Sequence, residues 1–284
     1  MSKTQDSNDV RFWRDPDLPG VEFRYSSYND EAFRKHTHPA YSIGLIEGGS
    51  TVFLLDGAEH AARAGQIALI GPGAVHACNP DSDQGLTYRM FYVDAEQLEN
   101  VGTEVFGRRV TAPAFPDPVV DDPDLTATWL ALFNAVAEGA GRLEKESLLF
   151  QALADLLLRH ALLEPPKQEE KGDPTNADLA VQLAAVHLSA QLSEKVSLDE
   201  LAERAHLSRY HLLRVFRERT GLPPHAYQTQ LRVDMGKRLL AAGRSISEAA
   251  AEAGFVDQSH FTRVFKQHTG ATPKQYQQAE ETGN

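Results

Sequence analysis

The feature of this 284-residue chain that most restricts its fold is a repeat within residues 197–277. One copy runs from Ser197 to Gln228 and the other from Ser245 to Gln277. Leu198, Ala202, Ala205 and Leu207 match Ile246, Ala250, Ala253 and Phe255 at an offset of 48 residues. His211, Arg214, Val215, Phe216, Gly221, Pro224 and Tyr227 match His260, Arg263, Val264, Phe265, Gly270, Pro273 and Tyr276 at an offset of 49. The one-residue slip falls at a turn between helices, where an insertion costs least. Each copy reads as a helix-turn-helix. A short helix carries alanines on the face where a neighbour must pack closely. A turn follows, with Ser208 or Asp257 in capping position. The second helix buries Leu212 and Phe216, or Phe261 and Phe265, and stops before Gly221 or Gly270. Between the copies, Tyr227, Leu231, Met235 and Leu239 stand four apart and predict a connecting helix ending near Gly243. At about 20 residues and about 30 Å, that helix holds the two units about one turn of B-DNA apart.

A plain helical bundle uses the same Ala and Leu patterning. What favours DNA is the second helix of each copy, with Arg209, Tyr210, Arg214 and Arg217 in the first and Gln258, Ser259, Thr262, Arg263 and Lys266 in the second. Arg and Gln read base edges, while Lys and Arg meet phosphate. The net charge of −12 does not oppose this, because it is unevenly placed. Residues 1–175 hold 15 Lys and Arg against 28 Asp and Glu, whereas residues 176–284 hold 13 against 12.

Residues 178–280 resemble the DNA-binding domain of the AraC/XylS family of bacterial transcription regulators, and Ala253–Tyr276 (AGFVDQSHFTRVFKQHTGATPKQY) follows that family's signature nearly throughout. The first copy matches less closely, with His206 where the second has Gly254; a turn of positive φ there is open to His, though less readily than to Gly. The resemblance implies base-reading positions at Tyr210, Leu213 and Arg214 in the first recognition helix, and at Gln258, Ser259, Thr262 and Arg263 in the second. Leu213 cannot hydrogen-bond and would be limited to a thymine methyl. Phe216, Phe265, Ala202 and Ala250 are assigned to the core.

The composition breaks at Leu163–Asn176, where three prolines, a glycine and a run of charge read as a linker. Before it, up to about residue 95, Tyr41–Ile46, Thr51–Leu55, Gln66–Ile70 and Thr87–Val93 are short apolar runs. The turn signals Gly48-Gly49, Asp56-Gly57 and Gly71-Pro72-Gly73 separate them, the pattern of a barrel or sandwich. Leu125, Trp129, Leu132 and Val136, then Leu149, Leu153, Leu156 and His160, fall at helical spacing. His36-Thr37-His38-Pro39 and His76 bracket the strands, with Gly65 before the second element. That arrangement is similar to the cupin barrel and to AraC-type effector domains over residues 20–95.

Three readings of these histidines stay open. His36, His38 and His76 could hold a metal, although the usual cupin glutamate is missing and Glu47 stands too far along. His36, His38, Tyr41 and His76 could line the barrel mouth as hydrogen-bonding groups for an effector. They could also make structural bonds only. Tyr41 lies an odd number of residues after His38, so strand alternation turns it away unless Pro39 interrupts. Single Cys78 excludes an internal disulfide and is either a redox sensor or a packing residue. No phosphate-binding glycine loop, nucleophile elbow or paired catalytic carboxylates are visible, and no catalytic residue, cofactor or bound metal is assigned.

The expected architecture is α+β in two domains. Residues 1–163 form a cupin-like β-barrel with two covering or dimerisation helices, 164–176 the linker, and 177–284 an all-α double helix-turn-helix. The expected function is a ligand-responsive, DNA-binding transcription regulator, an activator by its family resemblance. A metal-dependent cupin enzyme with a DNA-binding tail is the alternative. Expected partners are double-stranded promoter DNA, a small polar effector, a second copy of the chain and RNA polymerase. The polar N-terminus and the absence of any long apolar run lead to an expected cytoplasmic location without a membrane.

Overall fold

The computed structural model describes residues 9–28, 37–55, 57–80, 85–163, 174–269 and 271–282. Residues 164–173 of the expected linker, and His36, lie outside the described residues. The chain divides into two compact units. One contains Met1–Val136 and Leu148–Gln168; the other contains Ala137–Ser147 and Glu169–Asn284. Among the described residues no helix is long and apolar enough to cross a membrane.

The first unit is built on β1 (Asp9–Arg14), β2 (Val21–Tyr28), β3 (Tyr41–Leu55), β4 (Ala58–Arg63), β5 (Ile67–Ile70), β6 (His76–Pro80) and β7 (Leu86–Val93). Helix α1 (Ala95–Phe106), the short β8 (Val119–Val120), α2 (Pro123–Ala137) and α3 (Arg142–His160) follow. The sheet order is β1-β2-β7-β3-β5-β8, every pairing is antiparallel, and β4 and β6 pair the far half of β3. The expected strands Tyr41–Ile46 and Thr51–Leu55 are one 15-residue strand. Gly48-Gly49, read as a turn, instead marks a register shift between Ile46 and Gly48 in the pairing with β7. A bulge bends a strand without ending it. Its near half therefore pairs β5 and β7, and its far half pairs β4 and β6.

Side chains alternate between the two faces of a strand, and here the faces have different tasks. Phe23 and Phe91 point to the side where α2 packs, and both are fully buried. Trp129 of α2 lies 4.7 Å from the Phe91 ring, and Phe133 meets the rings of Trp13, Phe23 and Phe91. The helical spacing of Leu125, Trp129, Leu132 and Val136 is what brings these four onto one buried face. Fully burying a side chain of this size contributes roughly 1.5–3 kcal/mol. Helix α1 was not among the expected elements, yet Leu98, Val101, Val105 and Phe106 carry its buried face at ordinary helical spacing.

The second unit contains α4 (Pro174–Ala190), α5 (Leu198–Arg204), α6 (Arg209–Thr220), α7 (Pro224–Ala241), α8 (Ile246–Glu252), α9 (Gln258–Thr269) and α10 (Pro273–Thr282). The repeat is reproduced down to single bonds. Ser208 Oγ accepts the His211 amide at 3.2 Å, and Asp257 Oδ1 accepts the His260 amide at 2.7 Å. Thr220 Oγ1 donates to the Phe216 carbonyl at 2.8 Å, and Thr269 Oγ1 donates to the Phe265 carbonyl at the same distance. The Phe216 ring stands edge-on to Tyr227 at 5.4 Å, and Phe265 to Tyr276 at 5.5 Å. His206 has φ +54° and Gly254 φ +82°, so the turn needs the left-handed conformation in both copies. Only the second turn also abuts backbone: a Cβ at Gly254 would lie 2.1 Å from the Leu192 carbonyl oxygen.

The connecting helix is α7, with 18 residues. Its buried positions are Pro224, Gln228, Val233, Gly236 and Leu240, whereas the expected face of Tyr227, Leu231, Met235 and Leu239 is half-buried. The difference arises because α7 packs against helices of both copies, so its apolar surface wraps around the axis. A Cβ on Gly236 would come within 2.7 Å of the Phe261 ring, which is itself fully buried. Gly236→Ala is therefore expected to cost about 1–3 kcal/mol through overpacking. Calorimetry of the full chain should show a lowered Tm; an unchanged Tm would mean that α7 and α9 do not meet at this distance.

Candidate nucleic-acid interface and effector cavity

In each recognition helix the core residues and the polar residues fall on opposite sides. Leu212, Leu213, Val215 and Phe216 of α6 are buried, as are Phe261, Val264 and Phe265 of α9. Outward from α9 stand Gln258, Ser259 and Lys266, exposed, with Thr262 and Arg263 half-buried. From α6, Arg214 and Arg217 are exposed, and Arg209 and Tyr210 half-buried. Leu213, carried into the base-reading set by resemblance, is only 8% exposed and packs in the core, so its side chain has no reach toward a groove. The sequence signal was present: Leu213 sits next to Leu212, on the edge of the apolar stripe.

Several of the outward arginines are ion-paired. Arg209 Nη1 lies 3.4 Å from Asp199, and Arg214 Nη1 lies 3.3 Å from Glu218 one turn along its own helix. Arg263 differs, because its partner Glu138 is 125 residues away in sequence, within Ala137–Ser147 of the same compact unit. His260, one turn before Val264, has its pKa lowered by burial and by the neighbouring Arg263. Arg263 and Lys266 are the permanent cations of α9.

The first unit contains a cavity of about 40 Å³ on the sheet face opposite α2. Alternation explains its lining. Ser42, Gly44 and Ile46 face it before the bulge in β3, and Thr51 and Phe53 face it afterwards, because the shift in register moves the inward positions from even to odd numbers. Ala68, Ile70, His76, Cys78, Tyr88, Met90 and Tyr92 complete the even-numbered face. The structure brings His38 and His76 together, with ring centres 5.1 Å apart, and the His38 ring lies 4.9 Å from Tyr92. His76 is buried and its Nδ1 is 2.9 Å from the Ala74 carbonyl. A carbonyl only accepts, so Nδ1 carries the proton.

Tyr41 is not part of this group. It points to the other face, is 4% exposed, and donates its hydroxyl to the Pro113 carbonyl at 2.8 Å. Strand alternation holds at Tyr41 despite Pro39. Arg24 was missed. It lines both the cavity and a larger adjoining cleft, its guanidinium lies 5.0 Å from the Phe12 ring and 5.4 Å from the Tyr88 ring, and Nε donates to Ser26 Oγ at 2.7 Å. Its even position on β2, the strand paired with β7, was the available signal. Burial pushes the Cys78 thiol up to about 11 and raises the Tyr92 phenol as well.

These two sites sit in matched regions. Residues 18–153 match the family described as AraC-like ligand binding domain, and residues 201–279 match one described as helix-turn-helix domain. Over 245 residues the chain is 30% identical to the uncharacterized HTH-type transcriptional regulator YbfI of Bacillus subtilis, covering 85% of each chain. The chain belongs to the AraC family of transcription regulators. This AraC-family regulator is also 25% identical to the HTH-type transcriptional activator RhaS of Escherichia fergusonii, over 79% of this chain and 80% of that one. The solved structure of ToxT from Vibrio cholerae is similar over 92% of this chain and 98% of its own, at 12% identity and a TM-score of 0.37. The protein is a regulator with a ligand-binding and a DNA-binding domain, and not an enzyme; the cupin-enzyme alternative is set aside by the matched domains and relatives.

The half-buried Cys78 thiol gives a direct check on the cavity. With its pKa near 11, native Cys78 should react with iodoacetamide at pH 8 about 100-fold more slowly than in the unfolded chain, because the thiolate is the nucleophile. Equal rates in buffer and in denaturant would show that Cys78 is not enclosed.

Proposed function

We propose that this AraC-family chain activates transcription in response to a small polar effector, with α6 and α9 entering successive major grooves of promoter DNA. The observation that carries the reading is the duplicated unit. Each copy has a capped helix whose inward side is core and whose outward side is polar and basic, and both pack on α7. At 18 residues, α7 spans about 27 Å, a length compatible with grooves one helical turn apart. Arg209, Tyr210, Arg214 and Arg217 serve the first half-site; Gln258, Ser259, Thr262, Arg263 and Lys266 serve the second.

The effector binds in the cavity of the first unit, between His38 and His76 and beside Arg24 and Tyr92. Neutral imidazole both donates and accepts hydrogen bonds, so the histidines suit a hydroxyl, amide or acid group. The apolar walls at Ile46, Phe53, Ile70 and Leu86 enclose the rest of it. Its influence on transcription operates through a difference in affinity for DNA-competent and DNA-incompetent states. The functional boundary between the effector-binding and DNA-binding regions falls in 164–176. The protein acts in the cytoplasm as a homodimer that pairs through α2 and α3, and it contacts RNA polymerase at the promoter.

Arg263→Ala is expected to weaken specific binding by about 1–3 kcal/mol and to relax preference at one base pair. Lys266→Ala is expected to weaken binding to all sequences alike and to flatten the salt dependence. Selection of DNA from a random library, followed by titration at several salt concentrations, measures both. Retained preference in Arg263→Ala would refute the assigned register of α9. On the effector side, His38→Ala is expected to abolish induction of a reporter while leaving DNA binding intact, and normal induction would remove the histidine pair from the site.

A further inference from the structure

The ion pair between Arg263 and Glu138 is one part of a larger contact. The segment Ala137–Ser147 comprises the last residue of α2, the turn after it and the start of α3, and it packs with the helix-turn-helix unit. Three of its carboxylates face that unit. Glu138 pairs with Arg263 of α9. Glu144, half-buried, lies in the field of Arg263 and of Arg232 on α7, and its carboxyl is raised by its burial and by Glu138. Glu146 Oε2 accepts the backbone amide of Leu198 at 2.6 Å, which is the first amide of α5. Arg142 Nε holds the other oxygen of Glu146 at 2.7 Å. Gly141 lies beside Arg232, where an added Cβ would stand 3.6 Å from Nη1.

One short acidic segment thus reaches the first helix-turn-helix at α5, the connecting helix at Arg232 and the second recognition helix at Arg263. The contacts have unequal consequences for DNA. The amide of Leu198 belongs to the first turn of a scaffold helix, and Arg232 is turned inward, donating Nε to the Leu192 carbonyl at 2.8 Å. Arg263 alone is claimed twice, by a carboxylate here and by DNA in the function proposed above. A guanidinium presents the same fork to a carboxylate as to a phosphate or a guanine edge, so the two uses exclude each other. The pair is also partly open to solvent, with the Arg263 side chain 38% and the Glu138 side chain 49% exposed. An exposed pair of this kind is weak enough to be exchanged.

We propose that Glu138 is a built-in competitor of DNA: it occupies Arg263 in the free protein, must be displaced when α9 engages a groove, and so sets the DNA affinity of the second recognition helix. The proposal rests on the assignment of α9 as a DNA reader. Arg214 has no equivalent, because its partner Glu218 travels on the same helix. Arg209 of α6 is paired with Asp199 of α5 inside its own helix-turn-helix, so the competitor that comes from outside the repeat falls on the second half-site.

The test uses the full chain and a duplex enriched from a random library by the wild-type protein, with affinity read by fluorescence anisotropy. Glu138→Gln keeps the size of an exposed side chain and removes only its charge; thermal melting checks that each variant remains folded. Glu96→Gln, exposed on α1 and identical in charge change, serves as the control. Glu138→Gln is expected to bind about 2–5-fold tighter than wild type, while Glu96→Gln binds as wild type. Arg263→Gln is expected to bind more weakly, and adding Glu138→Gln to it is expected to give no gain. If Glu138→Gln shows wild-type or weaker affinity while Arg263→Gln is impaired, the competitor role is overturned and the DNA-reading assignment stands. An equal gain from Glu138→Gln with and without Arg263 would reduce the effect to general charge and overturn the proposal. Wild-type affinity in Arg263→Gln would overturn the DNA-reading assignment itself, and the proposal with it.

Discussion

The C-terminal unit depends on a single close approach, that of α9 to α7 with Gly236 beneath the Phe261 ring. Phe261 and Phe265 are fully buried, with ring centres 5.3 Å apart, and they join Val233, Leu240, Ala249 and Ala250 in one cluster. Small residues on α8 and a glycine on α7 let the backbones come near enough for large rings to fill the space between them. Interiors packed at this density do not deform smoothly. The outward angle of Gln258, Arg263 and Lys266 is consequently fixed by what the opposite side of α9 buries. Each copy also sets an aromatic pair edge-on at its end, Phe216 with Tyr227 and Phe265 with Tyr276.

In the first unit the equivalent constraint is strand parity. Phe23 and Phe91 hold α2 on one face of the sheet, and the positions between them line a cavity on the other. A register shift in β3 reverses that parity partway, which allows one strand to serve two sets of partners without exposing its apolar residues. The placement of His38 and His76 near Tyr92 follows from this division, and so does the exclusion of Tyr41, whose hydroxyl is committed to the Pro113 carbonyl. The candidate site of each unit thus occupies the face that packing leaves over.

Electrostatics adds a second level to the proposed DNA-reading face. A chain of net charge −12 binds a polyanion only by concentrating cations locally. Here several of those cations carry carboxylates: Asp199 on Arg209, Glu218 on Arg214 and Glu138 on Arg263. Exposed pairs of this sort contribute little to stability, but under the function proposed above each must be broken or shared when DNA arrives.

The repeat, the caps Ser208 and Asp257, the strained turn at His206, and the division into a strand-rich and a helical region were all legible in the chain, because each arises from interactions between residues close in sequence. Helical and strand periods, capping and turn chemistry are local. Where the sequence misled, a distant neighbour intervened. Gly48-Gly49 is a bulge because β7 continues to pair across it, Leu213 is core because the rest of its unit closes over it, and α7 buries more than one face because two copies pack on it. Arg24 showed in the sequence only as an even position on β2, and Glu138 showed no signal at all. No local pattern brings β2 to the cavity beside His38, or joins Glu138 to an arginine 125 residues later. The chain's own periodicities determined which elements form and which side chains they present; only the tertiary structure decided which of those side chains meet, since that depends on packing between segments with no shared pattern.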